Sequence, residues 1–222
     1  MYKRQTPYSD NLTFFTNNSI IFNPTVAYPA AGSWGMAGYV GIPDTNFYTV
    51  GMIQDANGKF DDFGFDPDNL DEYFKGIEFG WTGLDVTSGL AYLVNNAHIS
   101  LWQIDSESYG VALTGSYSLD AQGMGVFFRA GWANEGARSL YHRYAAAGLT
   151  KSVYKDSAFG VGVSWGEPQL ADVNQVATEV FYRWQLAQNF AITPSYQFLM
   201  NPGLNEEEDS VSLFGIRLRL TL

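Results

Sequence analysis

Along the last third of the chain, apolar and polar residues alternate. From Val176 to Leu186 the even positions are Val176, Thr178, Val180, Tyr182, Trp184 and Leu186, and the odd ones include Glu179, Arg183 and Gln185. Phe190, Ile192, Pro194, Tyr196, Phe198 and Met200 stand opposite Ala191, Thr193, Ser195 and Gln197. Phe214, Ile216, Leu218, Leu220 and Leu222 stand opposite Gly215, Arg217, Arg219 and Thr221. Upstream, Phe159, Val161, Val163 and Trp165 face away from Gly160, Gly162, Ser164 and Gly166, and Met124, Val126, Phe128 and Trp132 face away from Arg129 and Gly131. Successive strand residues point to opposite faces, so this period of two predicts strands with one greasy face and one polar or bare face. Eleven segments read this way, at about 34–42, 46–54, 73–82, 89–105, 108–119, 123–133, 140–151, 157–166, 174–187, 189–200 and 209–222. A bulge is expected within 89–105, parity is mixed in 140–151, and Lys75 falls on the otherwise apolar face of its strand.

The connections carry a second pattern. Counted back from the C-terminus, 187–189, 152–156, 120–122, 83–88 and 43–45 are short, whereas 201–208, 167–173, 134–139 and 55–72 are mostly longer and polar; the break at 106–107 departs from the alternation. Membrane barrels pair short periplasmic turns with longer outer loops. Such an orientation puts the C-terminus at the periplasmic rim and the acidic run Asp61, Asp62, Asp66, Asp68, Asp71 and Glu72 outside. A soluble β-sandwich also alternates, with its aromatic face packed inward and Arg183, Arg217 and Arg219 solvated. In a wide barrel the aromatic face meets lipid and those arginines line water. The glycine-rich face at 160–166 favours the barrel, since small lumen-facing residues keep a pore open.

Composition narrows the reading further. Residues are 46% hydrophobic and 16% aromatic, with 23 glycines, and aromatics recur at the ends of apolar stretches, as in interfacial girdles. The net charge of −11 leaves no basic stripe for nucleic acid, and the absence of cysteine excludes disulfides and thiolate metal sites. No window approaches the ~20 consecutive apolar residues of a spanning helix. Met1 to Pro7 is basic without an apolar stretch behind it, unlike an export signal. His98 and His142 are the only histidines, and neither sits in a nucleophile-elbow or metal-ligand spacing. The run 61–72 lacks the spacing of an EF-hand loop, Glu206 to Asp209 reads as a solvated loop, and no glycine motif cradles phosphate. An enzyme is not expected, nor a cofactor or metal.

The run Glu179-Val180-Phe181-Tyr182-Arg183-Trp184-Gln185-Leu186, followed by Asn189, Ile192-Thr193-Pro194, Gln197, Asn201-Pro202, Asn205, Asp209-Ser210 and Gly215-Ile216-Arg217-Leu218-Arg219-Leu220, resembles the C-terminal signature of carbohydrate-selective porins of the OprB type. Echoes lie in Gly148-Leu149, in Asp156 with Phe159-Gly160-Val161-Gly162, in Glu78-Phe79-Gly80-Trp81, and in Trp102 with Asp105. The resemblance implies an outer-membrane barrel of sixteen strands passing small sugars, glucose-like in the best-known members, with outer-membrane lipid and lipopolysaccharide as surroundings. The chain departs from the pattern by ending in Leu222, where the terminal assembly signal usually ends in an aromatic.

The expected fold is all-β: one antiparallel transmembrane β-barrel domain over 1–222, with 1–33 a loop or non-native start and 34–222 the barrel strands. An odd strand count cannot close antiparallel, and an open edge would leave backbone groups unpaired in hydrocarbon. The expectation is therefore an incomplete C-terminal segment of 10 or 11 strands. Residues 6–33, with Asn23-Pro24, Pro29 and Gly32, suit a loop folding into the lumen better than a strand.

Sugar hydroxyls both donate and accept, so paired guanidinium and carboxylate groups can replace lost water in a constriction. The residues of lumen parity are Arg129, Glu179, Arg183, Gln197, Arg217 and Arg219, with Glu78 added; for each, the competing role is an inter-strand salt-bridge ladder. Trp102 is read as a sugar contact or a lipid-girdle residue. Tyr182, Trp184, Ile192, Phe198, Ile216 and Leu218 are expected on the opposite, outer face. The rival to a sugar-diffusion pore is a non-conducting binding or adhesion module; monomer and trimer both stay open.

Overall fold

The computed structural model describes residues 15–27, 34–56, 73–83, 95–120, 123–153, 157–203, 205 and 207–220. Eleven strands follow in chain order: β1 (Gly35–Gly41), β2 (Phe47–Asp55), β3 (Tyr73–Thr82), β4 (Asn96–Gln103), β5 (Tyr109–Ser118), β6 (Met124–Ala133), β7 (Tyr141–Ser152), β8 (Ala158–Pro168), β9 (Gln175–Ala187), β10 (Phe190–Met200) and β11 (Ser210–Leu220). They form one sheet in the order of the sequence, every neighbouring pair antiparallel. A single meander of this width is a barrel wall, not two packed sheets, which sets the sandwich aside. Among the described residues β1 and β11 do not pair with each other, so the sheet is open.

Two expectations need correction. In the segment predicted at 89–105 the strand ends at Gln103, two residues early, and its described part begins at Asn96; residues 84–94 lie outside the described set. Among the described residues β4 also keeps one register with both neighbours, without the expected bulge. Register shifts occur instead between Tyr141 and Arg143 and between Phe190 and Ala191. The first explains the mixed parity of 140–151, because an extra residue flips the following side chains to the other face.

Turn chemistry fixes the hairpins. At 119–123 Gly123 has φ of 81°, a left-handed conformation that favours glycine, while the Asp120 carboxylate accepts from the Met124 amide at 2.7 Å. β9 returns into β10 through only residues 188 and 189. One rim carries the connections 42–46, 83–95, 119–123, 153–157 and 188–189; the other carries 56–72, 104–108, 134–140, 169–174 and 201–209. Apart from 104–108 on the second rim and 83–95 on the first, the second is the rim of longer connections. The acidic residues of 61–72 lie outside the described set.

The two faces separate as the alternation predicts. Val161, Val163, Val180, Trp184, Ile216 and Leu218 are exposed on one. Tyr182 shares this exposed side, and Ile192 joins it through the register row Trp184–Ile192–Leu218. The other face is covered by the segment Phe15–Ala27, which includes the single helical turn α1 (Asn18–Ile21). Lys75 is exposed on the first face, on the parity of Ile77 and Phe79.

Packing against the covered face makes the core. Phe15 meets Phe127 and Phe181 edge-on, with ring centroids 5.4 and 5.0 Å apart, and Ile20 and Ile21 close the cluster. Further along, Val26 and Ala27 pack with Phe74, Trp102, Ile104, Ala112, Ala133 and Ala137. Trp102 is 3% exposed and stacks on Phe74 at 6.2 Å. It belongs to neither a lipid girdle nor an open sugar path, because its ring is consumed in this core. The bare face of β8 also departs from expectation. A Cβ at Gly162 would press on Phe15 and Ile20, and one at Gly160 on Phe181. These glycines admit aromatic rings from neighbouring elements; they do not hold space open.

Candidate functional site on the covered face

Seven residues of lumen parity were predicted, and the structure divides them into three groups. The first holds the segment. Glu179 is completely buried, and its carboxylate accepts from the Thr16 amide at 2.9 Å to each oxygen, from Thr16 Oγ1 at 2.8 Å and from the Asn17 amide at 2.7 Å. Gln197, its register partner on β10, donates from Nε2 to Thr16 Oγ1 at 2.7 Å. Arg129, 3% exposed, donates from Nη1 to the Ile20 carbonyl at 2.7 Å, with its guanidinium 5.3 Å from the Phe127 ring centroid. Further along, Asn23 Nδ2 donates to the Ala130 carbonyl at 2.9 Å, and the Leu140 and Tyr141 amides donate to the Pro24 carbonyl at 3.1 Å each. A carboxylate taken out of water is tolerable only when its lone pairs are filled, and two consecutive amides with a hydroxyl fill those of Glu179.

The second group forms a polar strip toward the 188–189 turn. Arg183 donates to Gln185 Oε1, and Gln185 Nε2 donates to the Ala187 carbonyl at 2.6 Å. Arg219 lies in one register row with Ala191 and Gln185, and Arg217 pairs with Thr193 two residues earlier. Arg217 is near enough to Glu179 for its positive charge to act on that carboxylate. Arg183 and Arg217 are half-buried and Arg219 is exposed, so this strip places three guanidinium groups on the same side of the sheet as the segment.

Glu78 stands apart from both. On β3 it accepts from Tyr48 Oη at 2.9 Å and Ser100 Oγ at 3.3 Å, with His98 Nε2 at 4.0 Å. This is a buried polar knot bridging β2, β3 and β4. No group of three or more carboxylate or imidazole side chains suited to a metal ion occurs among the described residues.

Thr16, Asn17 and Phe15 were not singled out from the sequence. The signal available was the apolar cluster Phe14-Phe15 and Ile20-Ile21-Phe22 inside a stretch rich in Asn and Pro, which a solvated loop does not need. Glu179 is satisfied mainly by backbone amides.

With this geometry in place, likeness to known proteins is informative. The family model described as "Carbohydrate-selective porin, OprB family" matches residues 100–222. The high-pH structure of Pseudomonas putida OprB superposes with a TM-score of 0.64 at 12% sequence identity, covering 85% of this chain. The matched region is 58% of that chain, so the present sequence spans a little over half of its length. No curated relative matches in sequence. At this identity the structural likeness speaks for the fold; the family match extends over both the segment-holding residues and the arginine strip.

Proposed function

From the premise that this chain belongs to the OprB family of carbohydrate-selective porins, bacterial outer-membrane proteins of β-barrel fold, we propose that it builds the wall of a passive channel for small sugars. One observation carries the reading: a sheet whose exposed face is apolar and whose other face bears a guanidinium strip beside a segment clamped across it. Lipid suits the first face, and water with solute suits the second. In a channel, the segment 15–27 would occupy cross-section that the strands alone leave open, so solutes would pass along what remains beside it.

The residues divide the labour accordingly. Glu179, Arg129 and Gln197 position the segment. Arg183, Arg217 and Arg219 offer forked donors to ring hydroxyls, replacing water as a sugar passes. Arg217 belongs to the strip while its charge supports Glu179. Glu78 stiffens the wall through Tyr48 and Ser100. The chemistry is transfer without bond making or breaking, consistent with a family and fold of non-enzymatic channels.

Single-channel recording in planar bilayers is the direct test. Open-channel current should be interrupted by neutral monosaccharides, and Arg183→Ala or Arg217→Ala should weaken the block. Undiminished block in both variants removes these arginines from the sugar path. A correctly folded chain that never conducts fits a binding or adhesion module instead.

A further inference from the structure

We propose that the exposed side of β3, β4 and β5, at the rim of longer connections, is a docking site for the phosphorylated glycolipid of the outer leaflet, lipid A, with Lys75 as its phosphate ligand. The proposal rests on the porin reading for its orientation, since that rim faces outward when longer loops are external.

Lys75 is out of place on an apolar wall. It shares the exposed face of β3 with Ile77 and Phe79, and across the ladder it is flanked by Ile53 and Gln103, with Tyr109 beyond Gln103. Gln103 ends β4 and Tyr109 begins β5, so this register row lies where the strands leave the hydrocarbon. A cation is expensive at the bilayer centre but inexpensive at this depth.

Its neighbours are matched; among the described residues it is not. At the same rim Arg143 pairs with Glu167 at 3.6 Å and Arg138 with Asp105 at 3.8 Å. Asp105, the carboxylate of the adjoining connection, is further engaged by the Glu107 and Ser108 amides at 2.9 and 2.6 Å. Among the described residues, Lys75 has no carboxylate within 4 Å.

The surface around it is shaped for a ligand with a charged head and an apolar tail. A depression of about 620 Å³ is lined by Lys75, Ile77, Leu101, Gln103, Ser106 and Tyr109, among others. An ammonium is a compact donor to phosphate oxygens. Beside it, the Gln103 amide and the Ser106 and Tyr109 hydroxyls can meet phosphate or sugar oxygens. Ile77 and Leu101 lie two residues deeper, on the same face, and are exposed, where they would meet the first methylenes of an acyl chain. The order of cation, then hydroxyls and amide, then aliphatics follows the order of groups in a phosphorylated acylated sugar.

Native mass spectrometry of the full chain in detergent tests this without requiring conduction. Bisphosphorylated lipid A, the same lipid with its phosphates removed, and phosphatidylglycerol would be compared as added ligands. Wild type should retain bisphosphorylated lipid A about fivefold better than the dephosphorylated form, a margin set by one lysine near an anionic headgroup. Lys75→Ala should abolish that preference, Lys75→Arg should restore it, and Tyr109→Phe should weaken retention with the fold intact. Equal retention by Lys75→Ala and wild type, or no phosphate preference in wild type, overturns the proposal. Retention of phosphatidylglycerol as strong as that of lipid A overturns the glycolipid assignment. Conductance is measured separately, so a silent chain that captures lipid A defeats only the pore, and a conducting chain that ignores it defeats only this site.

Discussion

Glu179 reads in sequence as a wall carboxylate for solute, and in the structure it is the point at which the wall grips a segment more than 160 residues away, with a sequence separation of 163 to Thr16. Parity was legible; the partner was not, because alternation gives the face of a residue but not what lies over that face. Removing the carboxylate strands the buried Asn17 amide and the half-buried Thr16 amide. Glu179→Ala is expected to cost about 2–3 kcal/mol of segment docking, read as chymotryptic cleavage after Phe15 and Phe22 that speeds up by at least about 30-fold. Wild-type cleavage rates in the variant would show that the aromatic contacts suffice alone. Phe15→Ala, which empties the socket between Phe127 and Phe181, is expected to cost about 3–5 kcal/mol in the same assay. Asp105 offers a pH prediction at the rim. Burial raises its pKa, but the Glu107 and Ser108 amides, the Ser108 side chain and the Arg138 charge outweigh this and leave it below the usual carboxylate value. A depressed pKa means the stabilisation is present above the ordinary carboxylate range and disappears as pH falls through the lowered value. Hydrogen-exchange protection of the Glu107 and Ser108 amides, corrected for intrinsic rate, should therefore hold from neutral pH to about 5 and fall only below the ordinary carboxylate range. Loss of protection already near neutrality would contradict the assignment.

Strands were the most legible element, since nearly every residue of β8 to β11 alternates and a one-residue slip would reverse both faces together. β4 was carried two residues too far because Ile104 continues the apolar run of Leu101 and Trp102. Periodicity alone does not end a strand; only turn residues do. The glycines of β8 misled for a related reason: an absent side chain looks the same in sequence whether solvent or a phenyl ring occupies the space. Two substitutions on this strand separate the faces. Val161→Lys places a cation on the exposed apolar side and is expected to cost about 2–4 kcal/mol near the bilayer midplane, measured by urea titration of folding in lipid vesicles. Gly162→Val leaves the lipid side untouched and collides with Phe15 and Ile20. It should spare strand formation by circular dichroism while exposing the segment to chymotrypsin; continued protection would show that the segment can shift to accommodate it.

For the molecule as a whole, the sequence indicated one wide antiparallel sheet with a polar and an apolar side, and the loop-length alternation indicated an orientation. It could not indicate that residues 15–27 lie across the polar side, because their contacts with β6, β9 and β10 join positions far apart in the chain. That separation has a consequence in time. Thr16 meets Gln197 across 181 residues and Ile20 meets Arg129 across 109, whereas each strand finds its partner next in sequence. Closing loops of that size is entropically slow, and the Thr16 site, built by Glu179 and Gln197, does not exist until β9 and β10 have paired. Phe15, Ile20 and Ile21 must therefore wait, greasy and uncovered, until the strands through β9, which carries Phe181, are laid down. During refolding into vesicles, pulses of chymotrypsin should find the strands protected first and the bonds after Phe15 and Phe22 protected last. Simultaneous protection would mean that the segment templates the wall from the start.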